Sequence, residues 1–228
     1  MTFIRLHVTS EGQTEEAFVK RILARHLGAF NVFADARSVL TSRDKKAHKH
    51  YRGGLVSYTK AKADIETWMK QGGHTECRFT TMFDLYALPD DFPGCTDARK
   101  ENDPYRKVQV LENALKKDIG DRRFIPYIQL HEFEALILAD AAKLDWEYLD
   151  RDAPIRRLVD MVGNQNPELI DDTPEGTPSK RILDELPEYD KVNSGVLVAE
   201  KIGMQTMKTK CSHFRTWVEL LEGLAKAQ

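Results

Sequence analysis

The sequence has few of the features that mark secreted, zinc-binding or membrane proteins. Its 228 residues include three cysteines, Cys77, Cys95 and Cys211, which are far apart and form no C-x-x-C pair. This spacing argues against a disulfide framework and a zinc ribbon, and it fits a reducing cytoplasm. The apolar run at residues 3–8 reaches Glu11 too soon for a signal peptide, and no stretch approaches the roughly 20 apolar residues of a membrane span. We therefore expect a cytoplasmic protein that does not contact a membrane.

Several catalytic signatures are also absent from the sequence. It has no glycine-rich phosphate loop of the G-x-x-x-x-G-K type, no G-x-S-x-G elbow and no H-E-x-x-H motif. These absences argue against ATP hydrolysis by the chain alone, serine-hydrolase chemistry and zincin chemistry. The formal net charge is only -2, so any contact with nucleic acid must come from a local basic surface.

The order of apolar patterns along the chain predicts an α/β fold. Hydrophobic residues make up 41% of the sequence, which is sufficient for a packed core. Apolar runs and alternation predict four strands, at residues 3–8, 31–40, 78–83 and 124–130. Helical spacing predicts three intervening helices, at residues 14–27, 59–69 and 104–117. This order favours a mainly parallel sheet flanked by helices, with ligands bound at the carboxyl ends of the strands.

The C-terminal third is predicted to be helical. Strand patterns fade after residue 131, and helical patterns follow at residues 132–139, 155–162, 178–186, 194–202 and 213–224. We therefore predict an α/β core at residues 1–140 and a helical C-terminal extension at residues 141–228 that packs on it. No linker composition marks the boundary between them.

Acidic residues follow three of the four predicted strands. Glu11 comes after the first strand, with Glu15 one helical turn later on the same side. Asp84 ends the third strand, and Glu132 and Glu134 follow the fourth. Because the carboxyl ends of parallel strands meet at one edge, these carboxylates are expected to lie together and would suit Mg²⁺ or Mn²⁺. Acids in first helical turns also stabilise helices by themselves, so the spacing alone leaves both interpretations open.

A basic segment follows the second predicted strand. It is predicted to be a loop, and it carries cations and an aromatic ring of the types that neutralise phosphates and stack on bases. Its candidate nucleic-acid contacts are Arg43, Lys45, Lys46, His48, Lys49 and Arg52. A charged run is also typical of a solvated loop, so nucleic-acid binding and simple exposure both remain open.

Three sequence blocks resemble a known nuclease family. The run V-T-S-E-G-Q-T-E-E at residues 8–16 resembles the E-G-x-T-E opening of TOPRIM-like proteins, particularly the overcoming-lysogenization-defect nucleases and a bacterial family related to them. The runs F-D-L-Y at residues 83–86 and H-E-F-E-A-L at residues 131–136 are similar to the same family. The resemblance covers most of residues 3–140, and the helical tail is similar in a less distinctive way.

The resemblance implies a TOPRIM core with roles for individual acids. Glu11 would be the principal acid, Glu15 a supporting acid and Asp84 the second metal-binding position, and Glu132 or Glu134 would complete the cluster. TOPRIM proteins usually have a D-x-D pair, whose second aspartate is missing at that spacing after Asp84.

Further implications of the resemblance concern residues outside these acids and a partner. Asp90 is the candidate substitute for the missing aspartate. A downstream lysine is also implied, for which Lys180 is the best match and Lys201 the second. Similar small TOPRIM-like proteins are partners of ABC-type ATPases in bacterial anti-phage systems, so the resemblance implies such a partner.

One leading hypothesis and two alternatives follow. The leading hypothesis is a Mg²⁺-dependent nuclease, an anti-phage effector in which carboxylates position the metal and a lysine stabilises developing charge. The first alternative is a non-catalytic TOPRIM-like module that binds and regulates an ABC-type ATPase. The second is a metal-dependent phosphatase acting on a small phosphorylated ligand. A homodimer is compatible with each of them.

Overall fold

The strands form one central sheet and one small hairpin. The computed structural model describes residues 3–44, 49–52, 55, 57–73, 76–170 and 176–226. Within these residues the strands are β1 (Ile4–Ser10), β2 (Val32–Ser38), β3 (Leu40–Asp44), β4 (Lys49–Arg52), β5 (Cys77–Asp84), β6 (Phe124–Ile125) and β7 (Ile128–Gln129). The central sheet has the order β2-β1-β5-β6, and β7 also pairs with β5. All pairs in this sheet are parallel, which confirms the predicted α/β fold.

Helices cover both faces of the sheet. The α-helices of the described residues are α1 (Gln13–Phe18), α2 (Ala24–Gly28), α3 (Tyr58–Gln71), α4 (Cys95–Ala98), α5 (Pro104–Ile119), α6 (Glu134–Ile137), α7 (Asp152–Val162), α8 (Pro178–Glu185), α9 (Val196–Ile202), α10 (Met204–Lys210) and α11 (Ser212–Glu222). Two π-helical turns lie at Val19–Leu23 and Lys191–Gly195. Segments of 3₁₀ helix lie at Leu85–Ala87, Leu138–Trp146 and Pro167–Leu169. No helix in the described part of the chain is long and apolar enough to cross a membrane.

Alternation along the strands divides the core into two layers. Ile4, Leu6 and Val8 of β1 are buried on one side of the sheet, in the same apolar cluster as α1, α2 and the C-terminal helices. Phe79 and Phe83 of β5 are buried on the other side, in the cluster that contains α3 and α5. This arrangement follows from the two-residue period of a strand, which sends successive side chains to opposite faces.

The C-terminal helices pack directly on the sheet. The ring of Trp217 in α11 stacks on the ring of Tyr127, with centroids 4.1 Å apart and an interplanar angle of 8°. The Nε1–H group of Trp217 also donates a hydrogen bond to Thr80 Oγ1 in β5 at 3.0 Å. Both contacts join the C-terminal third to the sheet, and the division of the chain at residue 140 stays a prediction.

The basic segment predicted to be a loop contains a β-hairpin instead. Strands β3 and β4 pair antiparallel, with Arg43 opposite His50 and Asp44 opposite Lys49. The prediction was wrong because backbone pairing within a hairpin satisfies N–H and C=O groups without requiring apolar side chains. The hairpin begins beside the central sheet, since the N–H group of Val39 donates to the Ser10 carbonyl at 3.0 Å.

The predicted fourth strand is interrupted at Pro126, which separates β6 from β7. Proline has no N–H group to contribute to a strand ladder. The side chain of Thr81 replaces the missing ladder, because its Oγ1 donates to the Tyr127 carbonyl at 2.8 Å and accepts from the Tyr127 N–H at 3.0 Å. Beyond the interruption, Gln129 of β7 pairs with Asp84 at the end of β5.

Gly94 brings α4 close to α5. Its φ angle is +84°, and a Cβ atom at this position would lie 2.7 Å from the Cβ atom of Ala114. A left-handed backbone and the absence of a side chain are both required here, and glycine is the residue that provides both.

Replacing Gly94 with alanine should therefore reduce the free energy of unfolding by about 1–3 kcal/mol, through backbone strain and steric overlap. Urea denaturation measures the change. Gly28→Ala is the matched control, because a Cβ atom at Gly28 meets nothing within 4 Å. That change should be neutral or stabilise the protein by up to about 1 kcal/mol. Wild-type stability of Gly94→Ala would contradict the close packing of α4 on α5.

Candidate active site

Four acidic side chains meet at the carboxyl ends of β1 and β5. Glu11 follows β1, Glu15 lies in α1, Asp84 ends β5 and Glu134 begins α6. We call these four residues the carboxylate cluster. Because β1 and β5 are adjacent and parallel, the turn after one strand and the last residue of the other reach the same edge. The side chains of Glu15, Asp84 and Glu134 are at most 5% exposed.

The ammonium group of Lys191 lies among these carboxylates. Its Nζ atom is 3.1 Å from Asp84 Oδ2, 3.1 Å from Glu134 Oε2 and 3.8 Å from Glu15 Oε1. Lys191 begins the π-helical turn Lys191–Gly195, which is capped by Asp190. The Asp190 carboxylate accepts hydrogen bonds from the next two N–H groups after Lys191, each at 3.0 Å. The cap therefore fixes the backbone from which the lysine reaches the cluster.

Backbone hydrogen bonds tie the acids of the two strand ends together. Glu11 Oε2 accepts a hydrogen bond from the N–H group of Asp84 at 3.0 Å. The N–H group of Glu11 donates to the Met82 carbonyl at 3.1 Å. Glu15 Oε2 accepts from the N–H group of Gly12 at 2.9 Å, which closes the first turn of α1. These bonds restrict the positions that the carboxylate oxygens can adopt.

Tyr189 supports the far side of the cluster. Its hydroxyl donates to Glu134 Oε1 at 3.3 Å. A Cβ atom at Gly195 would lie 2.6 Å from this hydroxyl, so a glycine leaves the space that the Tyr189 hydroxyl occupies. The segment that carries Lys191 therefore also positions Glu134.

Burial opposes ionisation of the carboxylate cluster. It raises the pKa of Glu11 to about 8, with further contributions from Asp84 and Glu15. Burial also raises the pKa of Glu15 to about 7, where Asp84 adds to the effect and Lys191 opposes it. The pKa of Glu134 rises to about 7, mainly through burial and against the attraction of Lys191. Burial lowers the pKa of Lys191, but the surrounding carboxylates outweigh it and raise that pKa above its ordinary value.

The cluster opens to solvent through a depression of about 400 Å³. Glu11, Glu15 and Lys191 line it together with Val192, whose side chain is 41% exposed. A ligand can therefore approach the carboxylates from one side while the protein surrounds them on the others.

One residue predicted for the site lies beside the cluster, and another lies on α8. Glu132 is half-buried, and its Oε1 atom accepts a hydrogen bond from the Ser179 N–H at 2.6 Å, at the start of α8. The charge of Glu132 contributes to the raised pKa of Glu134. Lys180 is exposed on α8. Their catalytic roles stay predictions, and the lysine that contacts the cluster is Lys191.

Two further candidates have partners elsewhere. Asp90 is 93% exposed at its side chain and pairs with Arg99 at 2.5 Å, so its place among the metal ligands stays a prediction. Lys201 lies over the ring of Trp146, with its Nζ atom 4.2 Å from the ring centroid.

Three of the six predicted nucleic-acid contacts lie on the hairpin. Arg43 lies in β3, and Lys49 and Arg52 lie in β4. Lys45, Lys46 and His48 lie outside the described residues. The hairpin leaves the sheet beside Ser10, one residue before Glu11, so it starts at the same edge as the carboxylate cluster.

Lys191 was missed because it follows no predicted strand and is 107 residues from Asp84 along the chain. One local signal was available. A lysine directly after a helix-capping aspartate places a cation in a first helical turn, where the helix dipole disfavours it. This unfavourable interaction with the helix dipole is offset when the lysine side chain pairs with acids elsewhere in the fold.

The donor set of the cluster suits a hard divalent cation. Asp84 Oδ1 and Glu134 Oε2 are buried and accept no hydrogen bond from any described residue, although Glu134 Oε2 lies near Lys191 Nζ. All candidate donors are carboxylate oxygens, the type that Mg²⁺ and Mn²⁺ prefer. Among the described residues, however, no group of three or more His, Cys, Asp or Glu side chains is already arranged around one ion position. Glu15, Asp84 and Glu134 surround one position, and the Lys191 ammonium group lies there.

The raised pKa values predict how stability depends on pH. Between about pH 4.5 and pH 8 the folded protein keeps protons on the cluster that the unfolded chain loses, so the free energy of unfolding should fall as the pH rises. Glu11→Gln removes one of these groups. The variant should be more stable than the wild type at about pH 8 by roughly 1–3 kcal/mol, and nearly equal to it at about pH 4.

Urea denaturation in the presence of a chelator, at both pH values, measures this difference. Glu219→Gln is the matched control, because Glu219 is exposed on α11 and the substitution should have no effect at either pH. A Glu11→Gln difference that does not change with pH would contradict the unfavourable ionisation of the cluster.

No curated protein matches the sequence. The chain is similar to solved structures of the C-terminal region of the Xanthomonas campestris pv. campestris OLD protein. The platinum-phased structure has a TM-score of 0.40 and 12% identity, covering 95% of each chain. The mercury-phased structure has a TM-score of 0.40 and 13% identity, covering 96% of this chain and 98% of the other.

The family model described as "Domain of unknown function (DUF4276)" matches residues 10–222. This match spans nearly the whole chain, and the protein belongs to the DUF4276 family.

Proposed function

We propose that the protein is a divalent-metal-dependent nuclease whose active centre is the carboxylate cluster with Lys191. The observation that carries the proposal is the buried group of acids at the carboxyl ends of two parallel strands, matched within the described residues by one ammonium group. Such a charge excess is unfavourable in a protein interior. A bound divalent cation would reduce this excess of negative charge.

Glu11, Asp84 and Glu134 are the residues that would hold the cation. Asp84 Oδ1 supports this assignment, since it is a buried acceptor without a hydrogen bond from the described residues. When bound, a divalent cation polarises a phosphodiester and makes water a stronger nucleophile at neutral pH. Hydrogen bonds from the backbone to Glu11 and Glu15 hold the acids in place before any ligand arrives.

Glu15 and Lys191 have the properties needed for proton transfer and charge stabilisation. Burial raises the pKa of Glu15 to about 7, which suits a group that accepts a proton from an attacking water near neutral pH. The Lys191 ammonium can donate hydrogen bonds to phosphate oxygens as negative charge develops on them. Both side chains line the open depression, where a substrate would enter.

The β3–β4 hairpin is the proposed nucleic-acid contact. Arg43, Lys49 and Arg52 carry cations on paired strands, and the hairpin starts beside the carboxylate cluster. A strand bound along it would be guided toward the acids by its phosphates. The role as an effector in an anti-phage system with an ABC-type ATPase partner belongs to the same proposal and rests on the resemblance of the sequence motifs.

One observation favours a second function, a non-catalytic module that regulates such an ATPase. Lys191 already contacts three of the four acids, so the lysine alone could stabilise them in a purely structural role. The two functions differ in metal affinity, because a structural lysine would keep divalent cations out.

Glu11→Gln should abolish cleavage of nucleic acid without unfolding the protein. The assay presents single-stranded and double-stranded DNA and RNA with Mg²⁺ or Mn²⁺. Loss of a metal-binding acid should reduce the cleavage rate by more than the roughly 10- to 100-fold that follows loss of a residue that only hydrogen-bonds a metal ligand. Glu219→Gln is the matched control and should cleave at the wild-type rate, and circular dichroism checks the fold of both variants.

Isothermal titration of Mg²⁺ and Mn²⁺ into the same variants separates the alternatives. Binding that Glu11→Gln loses supports the metal centre. Metal binding together with hydrolysis of a generic phosphomonoester, but no cleavage of nucleic acid, would replace the nuclease with a phosphatase. Neither binding nor cleavage in the wild type, even with substrate present, would leave the non-catalytic module.

A further inference from the structure

A second pocket lies beside the segment that follows Asp84. It has a volume of about 290 Å³, which is at the lower end of the roughly 300–1,000 Å³ range of ligand pockets. Leu85, the residue directly after Asp84, forms part of its wall. The wall of the pocket therefore begins one residue along the chain from an acid of the carboxylate cluster.

The walls of the pocket are apolar. Leu85 and Leu88 come from the segment after β5, Ala98 comes from α4 and Leu111 comes from α5. The close approach of α4 to α5 at Gly94 holds two of these walls together. The pocket is therefore formed before a ligand binds, and its walls suit the face of a flat, weakly polar group.

The rim of the pocket carries an excess of positive charge. Lys107 and Arg99 contribute two cations, and Asp90 contributes one carboxylate. Arg99 pairs with Asp90, but the two side chains are 69% and 93% exposed, and exposed pairs of this kind contribute little stability. Lys107 forms no ion pair with a described residue. Both cations can therefore turn to an incoming anion.

We propose that this pocket binds one unpaired nucleotide of the substrate strand, with its base against the leucines and its phosphate at Lys107 and Arg99. The inference rests on the proposed nuclease function, because it names the substrate class of the same site. A base that enters a pocket of this size must leave its base pair. Single-stranded or locally unpaired nucleic acid is therefore the expected substrate.

Cys95 provides a native probe for this pocket. Its thiol lies in the pocket lining and is partly exposed, whereas Cys77 and Cys211 are buried. Burial raises the pKa of the Cys95 thiol, so a maleimide label is applied at mildly alkaline pH. The labelling rate of Cys95 then reports whether the pocket is occupied, and Cys95→Ser identifies the label that belongs to this position.

The experiment measures maleimide labelling without divalent metal in the presence of dAMP, a single-stranded oligo(dA) of about 20 nucleotides, or the duplex of that strand with oligo(dT). dAMP and the single strand should each slow labelling, and the duplex should not. Lys107→Gln should weaken the apparent affinity of both by about tenfold. Lys116→Gln, an exposed lysine on the same helix, is the matched control and should leave both affinities unchanged.

Three results would overturn the proposal. These are labelling that neither dAMP nor the single strand slows, protection by dAMP alone, and equal protection by the duplex. Equal effects of Lys107→Gln and Lys116→Gln would also contradict it. Because labelling requires neither metal nor cleavage, repeating it with Glu11→Gln separates this proposal from the nuclease assignment. If the protein shows no nuclease activity but the ligands still slow labelling of Cys95, the proposed nucleotide pocket stands and only the nuclease assignment fails.

Discussion

The attraction between Lys191 and the buried carboxylates is the interaction on which the candidate site depends. Glu15, Asp84 and Glu134 are almost completely buried, and the Lys191 ammonium group lies within 3.8 Å of all three. Burying several like charges together is strongly unfavourable unless opposite charge compensates them. Lys191 supplies part of that compensation, and the pKa of Glu11 still rises to about 8. The protein therefore carries a site that remains short of positive charge.

The fold concentrates this charge by means of its parallel sheet. Adjacent strands β1 and β5 end at the same edge, which brings Glu11 and Asp84 within one hydrogen bond of each other. The C-terminal segment then returns across this edge to contribute Tyr189 and Lys191. Acids from the sheet and a cation from the helical region thus form one site, so the C-terminal region is part of the proposed chemistry and not only a support for the core.

The sequence predicted the features that depend on local periodicity. Apolar alternation located β1 and β5, and the rule for parallel strand ends then placed Glu11 beside Asp84. Features that depend on distant contacts were not predictable in this way. Lys191 meets Asp84 across 107 residues, and Thr81 compensates for the proline that divides the predicted fourth strand. The short helix α10 was also not predicted, because its seven residues are too few to show a clear helical pattern between α9 and α11.

Anomalous diffraction from crystals soaked with Mn²⁺ can locate a divalent cation and thereby test the proposed metal centre. We expect a single strong peak at the carboxylate cluster, in contact with Asp84 Oδ1, and a Lys191 ammonium group displaced from its contacts with Asp84 and Glu134. A peak elsewhere, or no peak at saturating Mn²⁺ with Lys191 still paired to the acids, would contradict the proposed metal centre. In that case the lysine would be the permanent counter-ion of a structural cluster.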